Sequence, residues 1–142
     1  MNSKKILVLV FSIVIAFNSY GREETIQIEF TENDSYSIGV AHIDVGDTIQ
    51  WLPKNEGHNV EFLVGPDISA LPSNSKINDP HSILFKTPGV YLYGCTPHLN
   101  MGMLGLIVVG NDFHNLEEVS KFEISYVANS VLDRMINNAQ PN

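Results

Sequence analysis

Between Thr25 and Val109 apolar and polar residues alternate one by one in short segments, each closed by a turn, and this pattern limits the possible fold more than any other feature of the chain. Side chains on an extended strand point to opposite faces in turn, so such alternation buries one face and wets the other. Ile26, Ile28 and Phe30 alternate in this way with Gln27 and Glu29. Val45-Gly46-Asp47-Thr48 forms a turn, after which Ile49 and Trp51 alternate with Thr48 and Gln50 until Pro53 ends the strand. His58 to Phe62 is a further candidate strand, Leu63 to Asp79 is loop-rich, and Ile83-Leu84-Phe85 leads to a Pro88-Gly89 turn. Val90 to Tyr93 and Leu106 to Val109 are the last two candidates. Many short strands at this spacing predict an all-β sandwich or barrel. The chain of 142 residues holds one such domain, with no internal repeat or low-complexity linker to divide it.

Both ends differ from this body. After Gly110 the period becomes helical: Asn115 is placed to cap a helix with Glu117 and Glu118 in its first turn, where acids complement the dipole. Further on, Ile124, Val127, Ala128, Val131, Leu132, Met135 and Ile136 recur at three- and four-residue steps. Residues 111–142 are therefore expected to be a helical extension packed on the sandwich. At the other end Lys4 and Lys5 precede a stretch, Ile6 to Phe17, that is almost wholly apolar and shorter than the roughly 20 residues of a spanning helix. Small residues follow it, and residues 1–21 are expected to be a cleaved export signal with its cut after Gly21. No cysteine stands there to carry a lipid, so no membrane anchor is expected.

The whole chain has 16 acids against 8 bases and a formal charge of −8; loss of Lys4 and Lys5 with the leader makes it −10. That excess of acid argues against nucleic acid as a partner, since binding phosphates takes lysine and arginine. The single cysteine, Cys95, rules out an intrachain disulfide and any CxxC redox pair or multi-cysteine zinc site.

The chemistry concentrates in Cys95-Thr96-Pro97-His98-Leu99-Asn100-Met101-Gly102-Met103, between the last two strands. Thiolate, imidazole and a weak thioether are the ligands of blue-copper electron-transfer sites. Cys95, His98 and Met103 can be turned toward one point by one tight loop, and His58 must then be brought to it by the fold. Met101 competes with Met103 as the thioether. His42, His81 and His114 have no partner at ligand spacing. A nucleophilic Cys/His pair lacks an accompanying oxyanion-hole or orienting acid motif, and four protein ligands would leave a metal no open position for turnover. The chain is therefore not expected to be an enzyme. Copper storage or delivery is the alternative reading, weakened by the presence of only four methionines.

Gly57-His58-Asn59-Val60-Glu61, Ser75-Lys76-Ile77-Asn78, Pro88-Gly89-Val90-Tyr91, Cys95-Thr96-Pro97-His98 and Met101-Gly102-Met103 together resemble the cupredoxins, and among them the pseudoazurin group. The resemblance implies an eight-stranded Greek-key sandwich over residues 22–110 that binds one copper. It assigns His58, Cys95 and His98 as equatorial ligands, Met103 as the axial one, and Asn59 as a tie between the two ligand loops. It implies a monomeric, periplasmic carrier of single electrons with redox proteins as partners: a reductase such as copper nitrite reductase, a cytochrome c or a dehydrogenase. His98 would be the electron port, framed by Pro53, Pro97, Leu99 and Met101. The chain departs from the group in its charge. Lysines typically surround that port, whereas here only Lys54 and Lys76 lie near the ligand loops in sequence, opposed by Glu56, Glu61 and Asp79. Weak electrostatic steering is expected.

Overall fold

Alternation along the chain is resolved into two sheets in the computed structural model, which describes residues 21–67, 69 and 71–141. The expected leader, apart from Gly21, lies outside the described residues. Strands β1 (Thr25–Glu29), β3 (Thr48–Leu52) and β5 (His81–Leu84) form one sheet. Strands β2 (Val40–Ile43), β7 (Leu104–Val109), β6 (Gly89–Gly94) and β4 (Glu61–Val64) form the other, in that order. The pairs β1/β3 and β2/β7 are parallel; β3/β5, β6/β7 and β4/β6 are antiparallel.

This is the predicted all-β sandwich with a helical extension, made from seven strands among the described residues where eight were expected. The chain between β4 and β5 runs beside β4 without entering a ladder. Its side chains take the place of strand partners: Ser75 Oγ accepts from Val60 N (2.8 Å) and Asn74 Oδ1 from Phe62 N (2.9 Å). Boundaries also differ from the sequence reading. β4 starts at Glu61 rather than His58, which frees His58 and Asn59 from the sheet. β2, with Ala41 and Ile43 buried on either side of an outward His42, was not anticipated because four residues carry too little period to register.

Strands β6 and β7 are buried along their whole length, and this explains their nearly continuous apolar sequence. Tyr91, Tyr93, Ile107 and Val109 face the core between the sheets; Val90, Leu92, Leu106 and Val108 face a second core under the helices. The register sets Tyr93 opposite Gly105, and a Cβ at Gly105 would overlap the Tyr93 ring. Trp51 packs edge-on against the same ring, with centroids 5.2 Å apart.

The second core is roofed by α1 (Leu116–Ser120) and α2 (Tyr126–Ala139), whose Ala128, Leu132, Met135 and Ile136 are buried as their spacing predicts. Val127 from the same stripe is exposed. Asn115 does not cap α1 with its side chain. It is buried instead against β6, accepting from Val90 N and donating to Val90 O, both at 2.8 Å, in the manner of a neighbouring strand.

Candidate metal centre

Cys95 follows β6 directly and Met103 directly precedes β7, so two paired strands deliver both sulfurs to one end of the sandwich. Cys95 N donates to Met103 O (3.0 Å), which closes the loop at its base. Between them Thr96–Met101 winds into a short 3-10 turn with Pro97 near its start, where a missing N–H costs nothing. His98 N donates to Cys95 O (3.0 Å) and Met103 N to His98 O (3.2 Å), so the histidine backbone is held from both sides. Gly102 ends the turn at φ 91°, a left-handed conformation that favours glycine, and a Cβ there would stand 2.8 Å from Val131 Cγ2 of α2.

His58 arrives on the loop before β4, after Gly57 at φ 87°. Asn59 binds that loop to the cysteine loop: its Oδ1 accepts from Thr96 N (2.7 Å) and its Nδ2 donates to Thr96 Oγ1 (2.8 Å). Thr96 Oγ1 donates onward to Glu61 Oε2 (2.7 Å), and Tyr36 Oη donates to Asn59 O (2.7 Å). The tie implied for Asn59 by resemblance is thus a network that joins three segments, at Tyr36, Asn59 to Glu61, and Thr96.

Three donor atoms converge. His58 Nδ1 and His98 Nδ1 are 3.1 Å apart, and Cys95 Sγ lies 3.7 Å from the first and 3.5 Å from the second. A point equidistant from these atoms would lie about 2.0 Å from each, close to the roughly 2.0–2.3 Å that a first-row metal keeps from imidazole nitrogen and thiolate sulfur. The triangle therefore fits a single ion. His58, Cys95 and Met103 are 3%, 0% and 1% exposed, and Met103 shares the inter-sheet core with Cys95. His98 alone of the four reaches solvent.

Burial pushes the Cys95 thiol above its ordinary value, and Asp34 and Glu61 add to that, against the backbone N–H groups of Asn59 and His98. Burial and the neighbouring His98 push His58 down, partly opposed by Asp34. Without a metal the site thus favours a neutral thiol at Cys95 and a neutral imidazole at His58, and a metal ion must displace the thiol proton.

Residues 24–110 match the family described as copper binding proteins, plastocyanin/azurin family. The chain belongs to that family. A relative from Rhizobium leguminosarum bv. viciae, provisionally named a pseudoazurin, is 39% identical over 101 residues, covering 70% of this chain and 64% of its own length. The pseudoazurin of Paracoccus pantotrophus is 35% identical over 89 residues, 62% of this chain and 61% of that protein. The chain thus spans less than two thirds of the length of these two relatives. The crystal structure of pseudoazurin from Methylobacterium extorquens AM1 superposes with a TM-score of 0.74 at 26% identity, over 82% of this chain and 99% of that one.

Copper is accordingly the cofactor of this cupredoxin, and His58, Cys95, His98 and Met103 have the make-up of a type 1 copper site. Met101 is 61% exposed, on the surface of the loop. His42 lies on the outer side of β2, His81 Nε2 is 2.7 Å from Ser73 O, and His114 Nδ1 is 2.7 Å from Asp112 Oδ1; none joins the cluster. Asp34 does approach it, and nothing in the sequence signals this. Its Oδ1 is 3.6 Å from His58 Nε2 and 3.8 Å from His98 Nδ1. Lys54 and Lys76 are exposed, as are Glu56 and Asp79.

Proposed function

We propose that the protein is a carrier of single electrons, with His58, Cys95 and His98 as strong ligands of one copper and Met103 as the weak axial one. Copper bound there supplies a one-electron Cu(I)/Cu(II) couple. The observation that carries the reading is the Nδ1, Nδ1, Sγ triangle: the bonds from His98 N, Met103 N and Cys95 N hold the backbone of Cys95 and His98, and Asn78 N donating to His58 O (2.9 Å) holds that of His58. Donors held in this way keep one geometry in both oxidation states, which keeps reorganisation small. The protein groups close the site, so the residues exclude substrate instead of admitting it, and no turnover is assigned to the chain.

Electrons enter and leave at His98, whose ring edge is the part of the ligand set open to solvent. Pro53, Pro97, Leu99 and Met101 supply an uncharged frame, interrupted by the Asp34 carboxylate 3.8 Å from His98 Nδ1, and this surface suits brief contact with a redox protein: a reductase such as copper nitrite reductase, a cytochrome c or a dehydrogenase. The leader expected at residues 1–21 places the mature monomer, residues 22 onward, in the periplasm. No helix among the described residues is long and apolar enough to cross a membrane.

Addition of Cu(II) tests the function. An intense thiolate-to-copper visible band, a reversible one-electron wave, and loss of the band in Cys95→Ser are expected. A colourless complex, or rapid surrender of copper to a chelator without reversible cycling, would favour storage or delivery.

A further inference from the structure

Asp34 lies in the turn between β1 and β2, closed at its base by the Phe30–Tyr36 bridge and by Thr31 N donating to Ser35 O (2.9 Å). Its backbone is left-handed, at φ 51°, a conformation that aspartate and asparagine tolerate better than other side-chain-bearing residues. From there its carboxylate reaches over both histidines, 3.6 Å from His58 Nε2 and 3.8 Å from His98 Nδ1, with 42% of the side chain exposed. Among the described residues these histidines are its ion-pair partners.

With Nδ1 turned into the donor triangle and given to a metal, the ring proton of His58 would be on Nε2, which stands 3.6 Å from the carboxylate, an ion-pair distance longer than a hydrogen bond. A metal-binding histidine ordinarily gives that second N–H to an acceptor, which fixes its tautomer and ring orientation. The same negative charge also favours whichever oxidation state of the site is more positive.

Resting on the ligand set proposed above, we infer that Asp34 is a positioning residue of the copper site: it orients His58 through Nε2 and lowers the reduction potential by stabilising the oxidised form. Solvent at the exposed side of the carboxylate attenuates this effect without abolishing it.

The test compares the wild-type protein with Asp34→Asn and Asp34→Gly, each loaded with one equivalent of Cu(II), by visible spectroscopy and voltammetry. Asparagine keeps the shape and tolerates the backbone, so it removes only the charge; glycine suits the left-handed backbone and removes the acceptor as well. Asp34→Asn is expected to keep the band and to favour the reduced form about tenfold more, a rise of about 59 mV for one electron. Asp34→Gly is expected to raise the potential as well and to shift or broaden the band as His58 loses its partner. An unchanged or lower potential in Asp34→Asn with the band intact overturns the inference. If Asp34→Asn does not fold, an unchanged potential in Asp34→Gly overturns it equally. A wild-type protein that develops no band overturns the ligand assignment instead.

Discussion

Ser125 Oγ donates to the carbonyl of Asn100, 2.7 Å away, while accepting the amide of Ala128 in the first turn of α2. One hydroxyl therefore joins the helical extension to the turn that carries His98. Val131 of the same helix fills the space over Gly102, so α2 forms one wall of the ligand loop. The extension supports the copper loop as well as covering the sheet.

Ser125→Ala should destabilise the protein by about 1–2 kcal/mol through loss of the cap and of the bond to Asn100. Ser125→Asp should restore the cap without the donor. Denaturant melts of both, together with copper release to a chelator, distinguish the roles: faster release is expected in both variants. Release at the wild-type rate from both would mean that α2 does not steady the loop.

The two loop methionines should respond differently. Met103→Gln is expected to shift the visible spectrum and the potential substantially, because the axial ligand tunes a blue site, whereas Met101→Gln changes only an exposed side chain. The reverse order in voltammetry would transfer the axial role to Met101.

Gly105→Ala should cost about 1–3 kcal/mol or more, because its methyl would occupy the place of the Tyr93 ring in a closely packed core. Tyr93→Ala alone should also destabilise, but the double variant should lose less than the two costs combined, since the clash disappears with the ring. Additive losses in thermal or denaturant unfolding would show that the strain lies elsewhere.

For the metal-free protein, stability should fall as pH drops below about 6.5, the ordinary histidine value. The folded His58 is held lower by burial, so the unfolded chain binds its proton first and the slope of stability with pH is positive there. Denaturant titrations between pH 7.5 and 5 in the wild type and in His58→Gln check this, with a shallower fall expected in the variant. Equal slopes would assign the effect to other groups. Copper uptake should also weaken with acid, since the ion must replace the raised proton of Cys95.

Period and spacing made much of this legible in the sequence. Ile49 and Trp51 on β3 are buried as their alternation requires, and Ala128, Leu132, Met135 and Ile136 form the buried face of α2. Asn115 stands at the start of α1 as its spacing predicts, but a cap residue and a buried side-chain mimic of a strand have the same amide group; only the position of β6 beside it selects Val90 as its partner. The start of β4 was placed three residues early because an apolar run does not reveal where Asn59 leaves the ladder to bind Thr96.

The chain alone determined what depends on neighbours in sequence: which faces alternate, and that Cys95, His98 and Met103 with a distant His58 form a copper-type donor set. Tertiary structure decided what depends on segments meeting through space. It brought His58 Nδ1 within 3.7 Å of Cys95 Sγ, set Ser125 under Asn100, and carried Asp34 to the histidines. No periodicity encodes such contacts, because an isolated aspartate in a turn has the same local pattern whether its carboxylate faces water or a ligand pair.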